Sequence, residues 1–246
     1  MAIYHFSARV IGRSQGRSVV AAAAYRAAAR LHDERLGRGF DYSAKVGVVH
    51  SEILLPEGAP VAWAAPPEAS AEARGAARAA LWNAVEAAER RRDSQLARDL
   101  EIALPRELGR AEAVRLVRDF VREQCVARGM VADLNVHWGT ARDGGEQPHA
   151  HVLLTMRRAV PGGDGQGSDS FGAKEVAWND RALLRGWRER WAELANERLA
   201  AAGLDLRLDH RSLAEQGIDL APQNKIGPAG ARRELRGEAA ERAAEH

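Results

Sequence analysis

Gln147-Pro148-His149-Ala150-His151-Val152-Leu153-Leu154-Thr155-Met156 combines an apolar run with two closely spaced histidines. The apolar part of this stretch predicts a buried strand. Because side chains two residues apart lie on the same face of a strand, His149 and His151 are predicted to point the same way. The pair is therefore the start of a possible binding site.

A third histidine precedes this stretch on another strand-like run, 131–138, which carries His137. Residues 139–146 between the two runs indicate a hairpin connection, and antiparallel pairing would place His137 beside the pair. Three imidazoles from two adjacent strands could hold one divalent metal ion and leave positions open for substrate, as catalytic metal sites do. Two histidines on one strand can equally be a chance or surface pair, and spacing alone does not decide.

The composition bounds the class of protein. A chain of 246 residues with 46% hydrophobic content predicts one large domain with an ample core. No run of eighteen apolar residues and no signal peptide occur, so we expect a soluble cytoplasmic protein. The net charge of +2 argues only weakly for an anionic partner. Most of the basic residues are arginines, which suit phosphate groups, but a GC-rich genome would enrich arginine without a functional cause.

An alanine-rich segment near the amino terminus carries a tyrosine. Alternation over residues 2–11 predicts a first strand, and Ser18 is a suitable N-cap for a helix from Val19 to about Leu36. Tyr25 falls in the middle of that helix among alanines. Its ring would therefore stand out above the helix surface, although a tyrosine at this position could also be a core residue.

Two carboxylates share one face of a later strand. Residues 99–104 alternate strictly, which places Asp99 and Glu101 on the polar face. Aligned carboxylates on an inner strand are costly unless they are paired or lie near a cation. Asp99 and Glu101 are therefore candidates to face the metal, and exposure on an edge strand is the alternative.

The order of predicted elements indicates the fold class. Further helices are predicted over 70–98, 110–128 and 179–202, and a last strand over 204–208. Helices alternating with hairpin-linked strands indicate an α+β fold, with an antiparallel sheet and helices packed mainly on one face. The domain is expected to cover residues 1–220, followed by a charged and flexible tail, 221–246.

Several segments together resemble the MobA/MobL family of plasmid relaxases, within the larger group of HUH endonucleases. The resemblance rests on the three histidines, on the helix tyrosine, and on further sequence segments that occur in the same order along residues 1–220. One departure is Asp99, where the family pattern leads us to expect a glutamate. The matching segments are Ala2-Ile3-Tyr4-His5-Phe6, Ala22-Ala23-Ala24-Tyr25-Arg26, Ser51-Glu52-Ile53-Leu54-Leu55-Pro56, Ala97-Arg98-Asp99-Leu100-Glu101-Ile102-Ala103-Leu104-Pro105 and Asp209-His210-Arg211-Ser212-Leu213.

The resemblance implies a ferredoxin-like relaxase sheet and an activity on DNA. Members nick one strand at a transfer origin and capture its 5′ end on a tyrosine for conjugative transfer. The implied cofactor is a divalent metal, Mn²⁺ or Mg²⁺, with other transition metals possible. The implied partners are single-stranded origin DNA, accessory relaxosome proteins and a type IV secretion coupling protein, in a bacterial, plasmid-encoded and cytoplasmic setting without a membrane segment.

The resemblance also suggests a role for each candidate residue. Tyr25 would attack the phosphate, and the metal ligands would be His137, His149 and His151. Free tyrosine is almost wholly protonated at neutral pH, so a base or cation must assist it. Glu101, with Asp99 as second choice, would accept the phenol proton or orient a metal-bound histidine. The candidates for contacts with the DNA backbone are Arg13, Arg17 and Arg26.

Three other readings of the same residues stay open. A metal-dependent hydrolase using water would leave Tyr25 as a packing residue. A rolling-circle replication initiator shares the histidine pair, but its tyrosine is expected downstream of that pair. An origin-binding accessory protein with a structural zinc would need a fourth ligand in addition to the three histidines.

Overall fold

A computed structural model of the chain describes residues 4–66, 68–140, 144–161, 164–165, 167–212 and 214–218. The chain divides into two compact units, residues 1–209 and residues 210–246. The expected tail, 221–246, lies outside the described residues. Within those residues, no helix is both long and apolar enough to span a membrane.

All strands and helices described here lie in the first unit. The strands are β1 (Phe6–Gly12), β2 (Arg30–Asp33), β3 (Arg38–Asp41), β4 (Val48–Leu54), β5 (Gln95–Ala103), β6 (Ala132–Thr140), β7 (Glu146–Thr155), β8 (Arg157–Ala159) and β9 (Phe171–Lys174). The helices are α1 (Val19–Ala27), α2 (Ala71–Ala88), α3 (Gly109–Gln124) and α4 (Arg181–Ala201).

A five-stranded sheet in the order β1-β5-β7-β6-β4 forms the centre of the unit. Every neighbouring pair in it is antiparallel, and the pairs β2-β3 and β8-β9 form two small separate sheets. The central strand is β7, which carries His149 and His151, and its neighbour β6 carries His137. The predicted α+β fold with an antiparallel sheet is confirmed.

The helices are shared between the two faces of the sheet. On one face, α3 and α4 pack in a core that includes Val152 and Leu154. On the other face, α1 and α2 pack in a second core that includes Leu153. Helices mainly on one face were expected, but the unbroken apolar run of β7 is typical of a strand buried on both sides.

Helix α1 is shorter than the sequence predicts, because it ends at Ala27 instead of continuing to Leu36. Ala28 adopts the left-handed conformation with φ 50°, and its N–H donates to the Ala24 carbonyl. Residues that follow form the β2-β3 hairpin instead of further helical turns. Tyr25 therefore lies in the last turn of α1, where the chain leaves the helix beside the sheet.

Two other predicted elements also have different bounds. The helix predicted over 70–98 ends at Ala88, and the four residues 95–98 belong to β5. The Arg13 guanidinium donates hydrogen bonds to the backbone carbonyl oxygens of Glu86, Glu89 and Arg91. It thereby supplies hydrogen-bond donors to carbonyl groups at the C-terminal end of α2. The segment 204–208 is not a strand, since the Leu208 backbone is hydrogen-bonded to the Asn196 side chain.

Candidate functional site

The strand register brings the three histidines together on the α1 and α2 face of the sheet. His137 on β6 lies directly opposite His149 on β7, and His151 lies opposite Glu101 on β5. The three ring centroids are 5.0 to 5.1 Å apart. One nitrogen from each ring lies within 4.8 Å of the other two. The predicted convergence of the imidazoles is confirmed.

Each imidazole turns one nitrogen towards a protein oxygen. His137 Nε2 lies 2.7 Å from the Arg26 carbonyl oxygen, and His149 Nδ1 lies 3.1 Å from the Gln147 carbonyl oxygen. His151 Nδ1 is buried and has no hydrogen-bond partner among the described residues, and it lies 3.9 Å from an Asp99 carboxylate oxygen. In His137 and His149 the second ring nitrogen is then available as a ligand, which is the usual arrangement around a protein metal site. The donor set therefore fits a divalent metal.

Burial keeps two of the imidazoles, those of His137 and His151, neutral. Burial lowers the pKa of His137 from 6.5 to about 4, partly opposed by its hydrogen bond to the Arg26 carbonyl. Burial, reinforced by the Arg26 charge, lowers the pKa of His151 to about 2. A metal binds only neutral imidazole, so neither of these two rings has to lose a proton before metal binding at neutral pH.

Tyr25 is exposed in the last turn of α1, one residue before the carbonyl that contacts His137. The residue is 48% exposed, which excludes the alternative of a core residue. The ring packs edge-to-face on Tyr42 with centroids 5.3 Å apart. The carbonyl of the next residue, Arg26, is the oxygen that contacts His137, so the helix end is tied to the histidine cluster.

The two carboxylates lie on an inner strand, as predicted, but in different surroundings. Asp99 is buried and receives two hydrogen bonds from the Arg26 guanidinium. Glu101 is more exposed, with its carboxylate 3.4 Å from Arg9 and 3.9 Å from His5. Neither carboxylate hydrogen-bonds the Tyr25 hydroxyl in the described part of the chain. Asp99 is thus held by a cation, and Glu101 is the more accessible of the two.

The model of the MobA/MobL family matches residues 17–236 of this chain. The chain belongs to the MobA/MobL family. Among curated relatives of this MobA/MobL chain, conjugal transfer protein TraA of Agrobacterium fabrum is 42% identical over 92% of the chain. Mobilization protein MobL of Acidithiobacillus ferridurans is 37% identical over 94% of the chain and 63% of its own length. The chain spans only 21% of the length of that TraA relative.

Solved structures resemble the MobA/MobL chain over most of its length. A protein described under the molecular basis of vancomycin resistance transfer in Staphylococcus aureus is 30% identical, with a TM-score of 0.71 over 86% of this chain and 100% of that one. The metal-bound conjugative relaxase TrwC in complex with oriT DNA has a TM-score of 0.50 at 16% identity, over 98% of this chain and 94% of that one. At that identity the TrwC likeness concerns the fold alone.

Of the three arginines predicted to contact DNA, the MobA/MobL fold brings only Arg26 to the histidines. Arg13 follows Gly12, which pairs with Gln95, six residues along β5 from Glu101 and about 20 Å away. Arg17 is exposed at the opposite end of α1 from Tyr25. The sequence shows three arginines close to one helix but does not show which end of it meets the sheet.

Sequence reasoning missed a buried polar network beneath the MobA/MobL histidines. Asp133 accepts hydrogen bonds from Arg78, Trp82 and Asn135, and Ser51 donates to Asn135. Asn135 lies opposite His151 in the β6-β7 register. The alternation of Asp133, Asn135 and His137 along β6 could have revealed it, because positions two residues apart share a face.

Proposed function

We propose that this chain is the relaxase part of a conjugative mobilisation protein and nicks one DNA strand at a transfer origin. The observation that carries the proposal is the convergence of His137, His149 and His151 beside the helix end that bears the exposed Tyr25. The relatives named for conjugal transfer and mobilisation support the same reaction class. Because the chain spans a fifth of TraA, the proposal concerns nicking and not the activity of a longer protein.

The proposed chemistry is a transesterification at phosphorus. The Tyr25 oxygen forms a bond to the scissile phosphorus, and the bond from phosphorus to the 3′ oxygen breaks. The products are a 5′-phosphotyrosine and a strand with a free 3′ hydroxyl. Since one diester replaces another, the strand can be rejoined by the reverse step without a nucleotide cofactor.

We assign the metal site to His137, His149 and His151. A divalent ion bound there would polarise the scissile phosphate and offset charge on the leaving 3′ oxygen. An all-imidazole donor set favours Mn²⁺ and later transition ions over Mg²⁺, which prefers oxygen ligands. The chain itself supplies the neutral ring nitrogens and the oxygens that orient them.

Glu101 is the first candidate to accept the phenol proton. It is more exposed than Asp99, whose carboxylate already accepts two hydrogen bonds from Arg26. The difference lies in the partners: both oxygens of Asp99 accept from the largely buried Arg26, whereas Glu101 accepts a 3.4 Å hydrogen bond from the exposed Arg9. Asp99 instead has the position to steady Arg26 and, through it, the end of α1.

The proposed partner is single-stranded DNA of a transfer origin in a bacterial cell. Arg17 is exposed and suits a backbone contact. Arg13 and Arg26 are held by Glu86 and Asp99, so a phosphate contact would require them to exchange partners. Accessory relaxosome proteins and a type IV secretion coupling protein are the further partners that we propose from the family.

The direct test is detection of the covalent product. We would incubate the protein with a labelled single-stranded oligonucleotide from a transfer origin and Mn²⁺, and map any adduct by peptide mass. We expect a metal-dependent adduct on the peptide that contains Tyr25. Cleavage without an adduct would favour the hydrolase alternative, and an adduct on Tyr4 or Tyr42 would reassign the nucleophile. Unfolding on removal of metal, without any cleavage, would favour a zinc-stabilised binding protein.

A further inference from the structure

Lys45 holds a fixed position over the ring of Tyr25. It lies in the segment 42–47 that connects β3 to β4. Its Nζ is 3.9 Å from the centroid of the Tyr25 ring and donates a hydrogen bond of 3.0 Å to the Tyr25 carbonyl oxygen. The lysine was not predicted as a site residue, because no sequence motif surrounds it.

The segment that carries Lys45 is anchored to both sides of the site. The Tyr42 N–H donates to the Ala29 carbonyl just after α1, and the Lys45 N–H donates to the Tyr42 carbonyl. At the other end, the Gly47 carbonyl accepts from the N–H of Trp138, the residue after His137. The ammonium is therefore held between the end of α1 and the strand that carries a candidate metal ligand.

The ammonium is also a cation without an anionic partner in the described part of the chain. Burial, and next the charge of Arg26, lowers the pKa of Lys45 to about 8. Its charge also lowers the pKa of His137 and of His151, so it acts on the histidine cluster. By contrast, Lys174 lies 3.2 Å from a Glu89 carboxylate oxygen. A half-buried, unpaired cation beside another cation is unfavourable by itself and is well suited to an anion that arrives with the substrate.

We propose that Lys45 is a positioning residue that holds the Tyr25 ring and supplies positive charge where the nicking reaction gathers negative charge. This inference rests on the proposed nicking function. During the step, negative charge passes from the Tyr25 oxygen through the phosphoryl oxygens to the leaving 3′ oxygen. Lys45 makes and breaks no covalent bond and keeps its proton. Its positive charge stabilises the negative charge that develops on the phosphoryl oxygens and the leaving 3′ oxygen.

A purely structural reading gives a different expectation. The hydrogen bond to the Tyr25 carbonyl resembles the capping of a helix end by a lysine, which stabilises the helix without any part in the reaction. Lys45→Gln separates the two readings, because glutamine keeps a donor for that carbonyl but removes the charge. Lys45→Arg keeps the charge. Lys174→Gln is a matched control, since Lys174 also donates to a backbone carbonyl, that of Gln95.

The experiment measures single-turnover adduct formation on an origin oligonucleotide with Mn²⁺, and DNA affinity separately, at a temperature where all variants are folded. We expect Lys45→Gln to slow adduct formation roughly 10- to 100-fold with DNA affinity changed by less than about threefold. Lys45→Arg should recover most of the rate, and Lys174→Gln should match the unsubstituted protein.

Each outcome bears on one claim. A parental rate for Lys45→Gln would overturn the inference and leave capping as the role of Lys45. A Lys45→Arg variant as slow as Lys45→Gln would also overturn it, since charge would then not be what matters. If the unsubstituted protein forms no adduct, the proposed function is wrong, and the role proposed for Lys45 is then also wrong.

Discussion

Asp133 is the residue whose loss should most damage the framework under the site. It is fully buried and accepts four hydrogen bonds: two from Arg78, one from Trp82 and one from Asn135, all 2.9 to 3.1 Å long. Asp133→Ala would leave the buried guanidinium of Arg78 without its counter-charge. Removal of one partner of a buried ion pair typically costs about 3–5 kcal/mol in free energy of unfolding.

The lower free energy of unfolding of Asp133→Ala should be measurable as a lower melting temperature. In a domain of this size each kcal/mol lowers the midpoint by about 2–4 °C, so Asp133→Ala should melt roughly 6–20 °C below the parent protein. Asp93→Ala is a suitable control, because Asp93 pairs with Arg91 on the surface and should have almost no effect. Calorimetry or circular dichroism would measure both.

A double substitution checks the physical reason. Arg78→Met combined with Asp133→Leu removes both charges, so it should be less destabilising than Asp133→Ala alone. An Asp133→Ala protein that melts within about 2 °C of the parent would refute the reasoning, since the network would then contribute little to stability.

Three further results are expected. His149→Ala should weaken Mn²⁺ binding by about 10-fold or more in calorimetry, whereas His50→Ala should not, and unchanged affinity would remove His149 from the ligand set. The urea midpoint of the metal-free protein should be constant above pH 6.5 and should fall below that pH. The reason is that the pKa values of His137 and His151 are lowered in the folded protein, so the unfolded chain binds protons at a higher pH than the folded one. A midpoint that does not change down to about pH 5 would contradict this. Glu101→Gln should bind DNA normally but form the adduct about 10² times more slowly, and equal rates from pH 6 to 9 would leave Glu101 without a role as base.

The histidine cluster is the part of the site that sequence patterns predict well. Strand alternation places His149 and His151 on one face, and a short hairpin between two strands places His137 opposite His149. Both statements depend only on local geometry, which the chain determines over a few residues. The two carboxylates on β5 follow from the same rule.

The surroundings of Tyr25 could not be predicted in the same way. Residues 19–36 contain many alanines and favour a helix throughout, yet the chain leaves the helix at Ala28 and forms a hairpin in which Leu31 and Asp33 are buried. Tertiary burial outweighs helix propensity there, because propensity differences are below about 1 kcal/mol per residue. The approach of Lys45 to Tyr25 depends on that early exit and so has no sequence pattern of its own.

The measurement that tests the central claim most directly is adduct formation by Tyr25→Phe, with Tyr42→Phe as the matched control from the neighbouring ring. Tyr25 is 48% exposed and its hydroxyl makes no hydrogen bond within the described residues, so removal of the hydroxyl should leave the fold unchanged. We predict that Tyr25→Phe binds the origin oligonucleotide with unchanged affinity and salt dependence but forms neither nick nor adduct, while Tyr42→Phe keeps both. Cleavage by Tyr25→Phe at the rate of the unsubstituted protein would contradict the account, because water and not Tyr25 would then be the nucleophile.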